Sequence, residues 1–371
     1  MKVGIFTLPF HSNYGGVLQA WALQEFLKKT GHDPVVLRQP GFQVAWALQP
    51  LAIVRRAILR FRGSSVSLLA RFHDERLEKQ IARFCRNFIT QSPLLASDDE
   101  RAAFVRRAEL KAVIAGSDQI WRPGVTNSSY FLDFLTGCPN VLRIAYAASF
   151  GCDQPEFGME KARYANALAK FDALSVRESG AVSLCLNMAG VSAEHTVDPT
   201  LLLSPSDYAE IATPKSGDRP IGYFLAGSKL FSPLLEATAR RIGTPFFVLP
   251  TATDEVDKLL PPSMPSVEDW IGTMASASCV LTDSFHGTVF AILFRKPFVS
   301  LDNGSGFGRI ASLLRFLGME ERLSIGSPSA DTTAELLRQP LPEEAFSRLS
   351  DAVAKSRTFL ESALRQEHAV S

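Results

Sequence analysis

Short apolar runs alternate with longer segments of helical periodicity along most of the chain. Residues 2–8 and 34–37 have the length and β-branched content of buried strands, and between them apolar side chains recur at helical spacing until Gly31. This order of strand, helix and strand is typical of a right-handed parallel unit. The pattern therefore predicts an α/β protein with a doubly wound sheet.

The alternation continues beyond residue 300 and is interrupted once, by prolines and a glycine between residues 205 and 220. We therefore expect an N-terminal domain at residues 1–210, a C-terminal domain at 215–330, and an amphipathic helix within 340–371 that packs across both. Further strands are expected at residues 112–115, 143–151, 173–176, 221–225, 246–249, 279–281 and 297–301.

Residues 44–90 are predicted to form a helical insertion in the first domain that is rich in arginine. Apolar side chains such as Leu51 and Ile58 share its first segment with Arg55 and Arg60. A basic amphipathic helix of this kind lies on an anionic membrane surface, or else its charges form a solvated face whose alkyl stems cover the core. Both explanations stay open.

Composition limits the classes of partner. The 371 residues exceed one ordinary core, which favours two domains of roughly 150 to 200 residues each. The formal net charge is only +1, from 39 Lys and Arg against 38 Asp and Glu, so the basic footprint of a nucleic-acid-binding protein is missing. We expect no nucleic-acid partner.

The cysteines are scattered and none forms a CxxC pair, so we expect neither a metal site nor a redox pair. Free thiols are typical of a reducing compartment. The chain enters its first strand without the layout of a signal peptide, and no apolar run has the length of a membrane span. We therefore expect a cytoplasmic protein.

Polar and glycine residues follow the first strand, at His11 to Gly16. The glycine pair lacks the GxGxxG spacing of a nucleotide loop, so it indicates either a tight turn or a ligand loop. The hydrogen-bonding content of the segment favours a ligand, and four of its residues are candidates for binding it: Asn13, Tyr14, Gly15 and Gly16.

A second polar cluster follows the strand at Ala112–Ala115. Trp121 is suited to stacking on the apolar face of a sugar, while Asp118 and Gln119 accept hydrogen bonds from hydroxyl groups, with Ser117 beside them. The alternative is an Asp-capped turn with a packed tryptophan. The first interpretation predicts a sugar or anion site.

Two arginines stand where an anion can be bound. Arg177 follows the strand at 173–176 and can take a phosphate or carboxylate, or can form a plain ion pair with an acid such as Glu178. Arg309 ends the glycine-rich segment 302–309, which either wraps an anion or is a flexible surface loop. Asp198, at a turn that closes the first domain, is expected to face the cleft.

The turn at residues 282–288 joins a buried strand to a buried helix. Ligands of open α/β sheets sit at such junctions, because free backbone N–H groups and the helix dipole point into the crevice. His286 stands there with Asp283, Ser284 and Thr288. It is either a catalytic group or a capping or packed histidine.

Several segments together resemble the polysaccharide pyruvyl transferase family. They occur in family order over residues 1–320: residues 13–20, 116–121, 130–134, 146–151, 175–178, 198–202 and 283–288. The resemblance implies an α/β fold of two Rossmann-like, doubly wound domains facing a cleft, as in GT-B glycosyltransferases. It also implies phosphoenolpyruvate as co-substrate without a cofactor, and a pyruvate ketal as product on a bacterial polysaccharide or its precursor.

The resemblance implies a site as well. The family's histidine is His286 here and its strand-end arginine is Arg177, whereas the arginine that stands two residues before the histidine in described members is Ser284. Arg309 or Lys229 is expected to compensate. The expected donor site comprises Arg177, Ser284, Phe285, Gly287, Thr288 and Arg309.

In the mechanism that we expect, His286 protonates the donor and Asp283 holds its charge. Asp118 orients or deprotonates the acceptor hydroxyl, with Asp198 as second candidate. The acceptor is a sugar or a lipid-linked oligosaccharide, the latter with a peripheral contact at the inner membrane. Its expected site comprises Asn13, Tyr14, Gly15, Gly16, Ser117, Gln119 and Trp121.

Two other functions stay open. A GT-B-type glycosyltransferase would use a nucleotide-sugar donor in the same two-domain fold. A non-catalytic glycan-binding relative is suggested by Ser284, and it would bind an acceptor without releasing phosphate.

Overall fold

The computed structural model describes residues 1–10, 13–40, 70–123, 127–152, 155–251, 263–302, 307–326 and 328–365. Several predictions therefore lie outside the described residues: His11 and Ser12, the glycine-rich stretch at 303–306, and the arginine-rich segment up to residue 69.

The first sheet has six parallel strands in the order β2-β1-β3-β4-β5-β6. They are β1 (Lys2–Phe6), β2 (Asp33–Val36), β3 (Ala112–Ala115), β4 (Leu142–Ala148), β5 (Ala173–Val176) and β6 (Glu194–His195). The accompanying helices are α1 (Tyr14–Lys29), α2 (Ala70–Phe88), α3 (Asp98–Arg107), α4 (Lys161–Leu168), α5 (Ser179–Ala189) and α6 (Pro205–Ala209).

The second sheet has five parallel strands in the order β11-β10-β9-β7-β8. They are β7 (Arg219–Tyr223), β8 (Phe247–Leu249), β9 (Ala277–Thr282), β10 (Phe298–Leu301) and β11 (Leu323–Ser324). The helices are α7 (Ser228–Ile242), α8 (Val267–Ala275), α9 (Phe285–Leu293), α10 (Phe307–Leu317), α11 (Ala330–Arg338) and α12 (Glu343–Arg365). The predicted α/β class with two doubly wound sheets is confirmed.

Each sheet reverses its winding direction at one pair of strands. In the first sheet the chain builds outward on opposite sides of the pair β1 and β3, and in the second it does so at β7 and β9. Ligands of open parallel sheets bind at the carboxyl ends of such pairs, because the connections there leave in opposite directions and open a crevice. The topology therefore points to the segments after β1, β3, β7 and β9.

The two sheets share one apolar core. Tyr14 of α1 stacks on Trp270 of α8 with ring centroids 5.5 Å apart, and its hydroxyl donates to the carbonyl of Pro265 at 2.7 Å. Tyr208 of the first domain packs edge to face against Phe290 of α9 at 5.0 Å. These side chains belong to a single buried cluster that includes residues of both sheets. The domains are consequently fixed against each other beneath the crevice.

Helix α12 returns from the second domain to the first. It starts near α9, where Glu343 pairs with Arg295 at 3.0 Å, and it then crosses the first sheet. There the Ser356 hydroxyl accepts the N–H of Val197 at 3.0 Å, and Phe359 packs against Tyr146. Among the helices that the structure describes, none has the length and apolarity needed to cross a membrane.

Candidate functional site

The turn after β9 is built to present the first turn of α9. Thr282 donates its hydroxyl to the carbonyl of Tyr223 at 2.6 Å and accepts the N–H of Ser284 at 3.0 Å. Ser284 caps α9 by accepting the N–H of Gly287. A Cβ at Gly287 would lie 2.4 Å from the Thr282 hydroxyl oxygen, so the packing here requires glycine. His286 is thereby held in the first helical turn.

His286 lies against Gly15 of the opposite domain. A Cβ on Gly15 would be 1.9 Å from Nδ1 of His286, which shows that the imidazole rests on the glycine backbone. Asn13 caps α1 by accepting the N–H of Gly15 at 2.9 Å. The glycine pair after β1 therefore gives His286 room between the two domains.

Asp198 is the carboxylate nearest His286. Its Oδ2 is 3.8 Å from His286 Nε2, and it accepts hydrogen bonds from Arg177 at 2.7 Å and from Ser117 at 2.9 Å. Its Oδ1 accepts the N–H and the hydroxyl of Thr200. Burial alone would raise the pKa of Asp198, but the charge of His286 when the imidazole is protonated, the charge of Arg177, and the hydrogen bonds from Thr200 hold that pKa below its usual value. Asp198 is therefore an anion that anchors the site.

Arg177 leaves two nitrogens for a ligand. Its guanidinium lies 4.3 Å from the centre of the Phe285 ring, and Nη2 is 3.9 Å from Oδ1 of Asp118. Among the described residues, neither Nε nor Nη2 has a hydrogen-bond partner, although the side chain is only 3% exposed. Buried donors without partners are costly unless a ligand satisfies them.

Arg309 meets Arg177 on the same ring and the same acid. Its guanidinium is 5.5 Å from the centre of the Phe285 ring, and Nη1 is 3.9 Å from Oδ1 of Asp118. Its Nε has no hydrogen-bond partner among the described residues. Burial, followed by the charge of Arg177, lowers the pKa of Arg309 to about 10. Two cations held this close are stabilised by an anion placed between them.

Burial sets the proton state of His286. The imidazole is almost fully buried, and burial lowers its pKa below the usual value for histidine, with Arg177 and Arg309 acting in the same direction. Asp198 and Asp118 oppose the shift without reversing it. Nε2 has no hydrogen-bond partner among the described residues. The free site therefore holds a neutral histidine, and a bound anion would favour its protonation.

Two expected sugar-binding residues lie elsewhere. Trp121 is fully buried, stacks on Phe131 at 5.6 Å, and donates its indole N–H to the carbonyl of Tyr130 at 3.1 Å. Tyr14 is buried in the contact between the domains. The expectation that either side chain lines the acceptor site is wrong, because both are enclosed by other aromatic residues.

The partner predicted for His286 is also corrected. Asp283 accepts the N–H groups of Leu225 and Ala226 at 2.6 and 2.8 Å, so its carboxylate holds the loop after β7, and Asp198 takes the place beside the histidine. Thr288 bonds to the carbonyl of Ser284 and to the Ser300 hydroxyl, inside the domain. Neither Asp283 nor Thr288 turns toward the two arginines.

Of the remaining expected residues, Ser117 bonds to Asp198 and Arg177 at 2.9 and 3.3 Å, and Asp118 lies 3.9 Å from both arginines. Asp118 also has an unusual backbone conformation. It has a positive φ of 84°, and its Oδ2 would be 3.8 Å from a Cβ on Gly16. Such a backbone conformation is uncommon for a non-glycine residue and often marks a functional position. Gln119 lies at the rim, where its Oε1 accepts from Arg122.

Glu178 belongs to the site although the sequence showed it only as an ion-pair partner of Arg177. It is fully buried, it accepts the Ser149 hydroxyl, and its Oε2 has no hydrogen-bond partner among the described residues. Burial raises the pKa of Glu178 despite the nearby charges of Arg177 and Arg309. Its position directly after Arg177, at the end of β5, is the one sequence signal that could have found it.

Across the described part of the chain, no three His, Cys, Asp or Glu side chains are grouped so as to hold a metal ion. The ionisable groups that converge are His286, Asp198, Asp118, Glu178, Arg177 and Arg309. They combine two buried guanidinium groups with groups that can gain or lose protons.

Comparison with known proteins agrees with this architecture. A family model described as "Polysaccharide pyruvyl transferase" matches residues 13–305. No curated protein matches the chain by sequence.

Two solved structures are similar in fold. S. aureus MnaA with UDP is 11% identical, with a TM-score of 0.51 over 98% of this chain and 96% of that chain. Arabidopsis thaliana UGT89C1 with UDP is 13% identical, with a TM-score of 0.55 over 98% of this chain and 99% of that chain. At such identities the likeness concerns the fold alone, and it agrees with the expected pair of Rossmann-like, GT-B-like domains.

Proposed function

The chain belongs to the polysaccharide pyruvyl transferase family, and from this premise we propose that it transfers pyruvate from phosphoenolpyruvate onto two hydroxyls of a sugar, forming a ketal. The observation that carries the proposal is the convergence of His286, Arg177 and Arg309 around the ring of Phe285. The sugar belongs to a bacterial polysaccharide or its precursor, and the reaction takes place in the cytoplasm.

Phosphoenolpyruvate carries a carboxylate and a phosphate, and the site offers two guanidinium groups. Arg177 and Arg309 have donors without hydrogen-bond partners among the described residues, and each approaches Asp118 no closer than 3.9 Å. Arginine binds carboxylate and phosphate oxygens through paired N–H groups. Arg309 thus supplies the positive charge that Ser284 lacks, although it comes from the start of α10 instead of α9.

Binding of phosphoenolpyruvate also favours the protonated form of His286, the general acid. His286 is neutral in the free site because burial lowers its pKa. The negative charges of the donor raise that pKa again, since a nearby anion favours the charged form of histidine. His286 then gives its proton to C3 of the donor, and C2 becomes electrophilic.

The acceptor completes the exchange. One sugar hydroxyl forms a C–O bond at C2 and gives its proton to Asp118. The second hydroxyl then attacks C2 and gives its proton to His286, which replaces the proton that went to C3. The bond between C2 and the phosphate oxygen breaks, and inorganic phosphate leaves beside the arginines with the proton from Asp118. Buried charges aimed at the departing group stabilise it without reorganisation.

Phosphate release tests the proposal directly. Purified protein is incubated with phosphoenolpyruvate and a panel of glycosides, and products are analysed for an added pyruvate ketal by mass spectrometry. We expect release with at least one glycoside, and its loss in His286→Gln but not in the matched variant His32→Gln, because His32 lies at the far end of α1.

Two results would contradict the proposal. Thermal stabilisation by UDP or GDP without any by phosphoenolpyruvate would favour a nucleotide-sugar glycosyltransferase. Binding of a glycoside and of phosphoenolpyruvate without phosphate release would favour a non-catalytic protein.

A further inference from the structure

Glu178 is a buried carboxyl group that lacks the usual structural partners of a buried acid. It is the N-cap residue of α5, yet its side chain accepts no N–H from that helix. Among the described residues, no nitrogen of a lysine, arginine or histidine lies within 4.0 Å of its carboxyl oxygens. A fully buried carboxylate with neither a cap nor an ion pair is costly in its charged form.

The hydrogen bonds around Glu178 show which of its oxygens is available. The hydroxyl of Ser149 accepts the N–H of Gly151 at 3.0 Å and donates its own proton to Oε1 of Glu178. Oε2 is buried and has no hydrogen-bond partner among the described residues. A proton on this carboxyl group therefore lies on Oε2, where the un-ionised acid is a hydrogen-bond donor.

Glu178 belongs to the same cluster as the two arginines. Ser149, which holds Glu178, donates its N–H to the carbonyl of Asp118 at 3.1 Å, and Oδ1 of Asp118 lies 3.9 Å from a nitrogen of each arginine. Nε and Nη2 of Arg177 and Nε of Arg309 lack hydrogen-bond partners among the described residues, as Oε2 of Glu178 does. One bound oxyanion can satisfy all of these groups, provided that Glu178 carries a proton.

The balance of charge in the site favours an un-ionised Glu178. Two guanidinium groups already have two carboxylates near them, since Asp198 lies 2.7 Å from Arg177 and Asp118 lies 3.9 Å from both arginines. An ionised Glu178 would add a third carboxylate, and the site would then repel a phosphate or carboxylate ligand. Burial raises the pKa of Glu178 although Arg177 and Arg309 oppose the shift, which agrees with a carboxyl group that keeps its proton.

We propose that the carboxyl group of Glu178 is un-ionised at neutral pH and that its Oε2–H donates a hydrogen bond to an oxygen of the anion bound between Arg177 and Arg309. The inference rests on the proposed function only for the identity of that anion, phosphoenolpyruvate, because inorganic phosphate presents the same kind of oxygen. Since Glu178 already carries its proton in the free site, binding of the anion requires a new proton only at His286.

Infrared difference spectroscopy tests the proton state of Glu178 directly. An un-ionised carboxyl group absorbs at a frequency apart from that of a carboxylate. The spectrum of the unchanged protein at pH 7 minus that of Glu178→Gln should contain the band of a carboxylic acid. The same subtraction with Glu194→Gln, which alters an exposed carboxyl group of β6, should not contain it. Absence of the band from the Glu178→Gln difference overturns the proposal.

Binding of inorganic phosphate and of phosphoenolpyruvate, measured by calorimetry, tests the hydrogen bond. Glu178→Gln keeps the size of the side chain, an acceptor for Ser149 and a neutral N–H donor, so both anions should bind within about threefold of the unchanged protein. Glu178→Met keeps a similar volume without a donor and should weaken both by roughly tenfold to a hundredfold. Thermal unfolding shows that the variants are folded, and Glu178→Gln with its infrared band decides the proton state even if Glu178→Met does not fold.

The other outcomes contradict the proposal in distinct ways. Tenfold tighter binding of either anion by Glu178→Gln would show that the native carboxyl group is ionised and repels the ligand. Equal binding by a folded Glu178→Met would show that no hydrogen bond is made, and no detectable binding of either anion by the unchanged protein would remove the anion site itself.

The same measurements separate this inference from the proposed function. If phosphate binding depends on Glu178 as expected while phosphoenolpyruvate neither binds nor releases phosphate with any glycoside, the role of Glu178 stands and the proposed reaction fails. If the unchanged protein releases phosphate with a glycoside and Glu178→Met binds phosphoenolpyruvate equally well, the reaction stands and the role of Glu178 fails.

Discussion

Gly15 and Gly16 are neighbours in α1, and only one of them touches His286. A Cβ on Gly15 would lie 1.9, 2.1 and 2.6 Å from Nδ1, Cγ and Cε1 of the imidazole, whereas a Cβ on Gly16 finds its nearest atoms at 3.8 and 3.9 Å. The substitutions Gly15→Ala and Gly16→Ala therefore add the same methyl group to the same helical turn, but only Gly15→Ala displaces the imidazole.

The geometry sets the size of the effect. Ordinary contact begins at 3.4 Å, so Gly15→Ala forces the imidazole to move by roughly 1.5 Å. A misplacement of about 1 Å can cost a catalytic group on the order of 100-fold in rate. Overpacking costs about 1 to 3 kcal/mol, and alanine in a helix regains up to about 1 kcal/mol. Gly15→Ala should thus lose at most about 3 kcal/mol of stability, and Gly16→Ala should lose none.

Phosphate release from phosphoenolpyruvate with an active glycoside, together with urea unfolding, measures both quantities. We expect Gly15→Ala to fold and to lose at least about 100-fold in turnover, while Gly16→Ala stays within a few-fold of the unchanged protein. Equal turnover in the two variants would refute the placement of His286 at the reacting atoms.

Four further predictions follow from the charges and the core. The protein should take up protons when phosphoenolpyruvate binds above pH 7, which is measured as a dependence of the calorimetric binding enthalpy on the ionisation enthalpy of the buffer. His286→Gln should abolish this proton uptake, and equal uptake in both proteins would contradict the protonation of His286 by substrate binding. Because burial lowers the pKa of His286, the unfolded chain binds a proton at this residue at a higher pH than the folded protein does. The contribution of His286 to the free energy of unfolding is therefore fully present above about pH 6.5, and below that pH it declines by up to about 1.4 kcal/mol per pH unit. In His286→Gln the free energy of unfolding should fall less steeply with decreasing pH. Asp198→Asn leaves Arg177 buried without its anion and should lower the free energy of unfolding in urea by about 3 to 5 kcal/mol. The control Asp207→Asn removes a more exposed ion pair with Lys29 and should lower it by about 1 kcal/mol or less. Equal losses would show that the ion pair of Asp198 with Arg177 does not stabilise the fold. Trp121→Ala should cost about 3 to 5 kcal/mol, whereas Trp121→Phe should keep the dissociation constant for the acceptor, and weakened acceptor binding in a stable Trp121→Phe would restore the tryptophan to the sugar site.

The short apolar runs predicted the sheets well because parallel strands are buried on both faces. β3 and β5 occupy the predicted residues. The two-residue strands β6 and β11 are too short to show a pattern, and no separate pattern indicated α11. Local patterns thus predict the elements that bury a continuous apolar run, and they miss the short strands that form only by pairing with a neighbouring strand.

The site was less predictable, since its contacts join distant segments. Sequence motifs identified His286, Arg177 and Arg309 as candidate site residues. Residue type alone, however, cannot show whether Trp121 is exposed or buried. The approach of His286 to Gly15 depends on how the two domains meet, which no local pattern records. Asp198 was only a second candidate because its turn resembles any Asp-Pro turn before the neighbouring charges are in place.

The return of α12 to the first sheet has a consequence during protein synthesis. Strand β6 ends at His195, yet Val197 finds its hydrogen-bond partner in Ser356, which the ribosome adds later. At ordinary elongation rates, the first domain waits roughly ten to thirty seconds with that surface uncovered. Nascent chains of this protein should therefore engage chaperones until residues 343–365 have emerged, and products that stop before α12 should be degraded even though both sheets are complete.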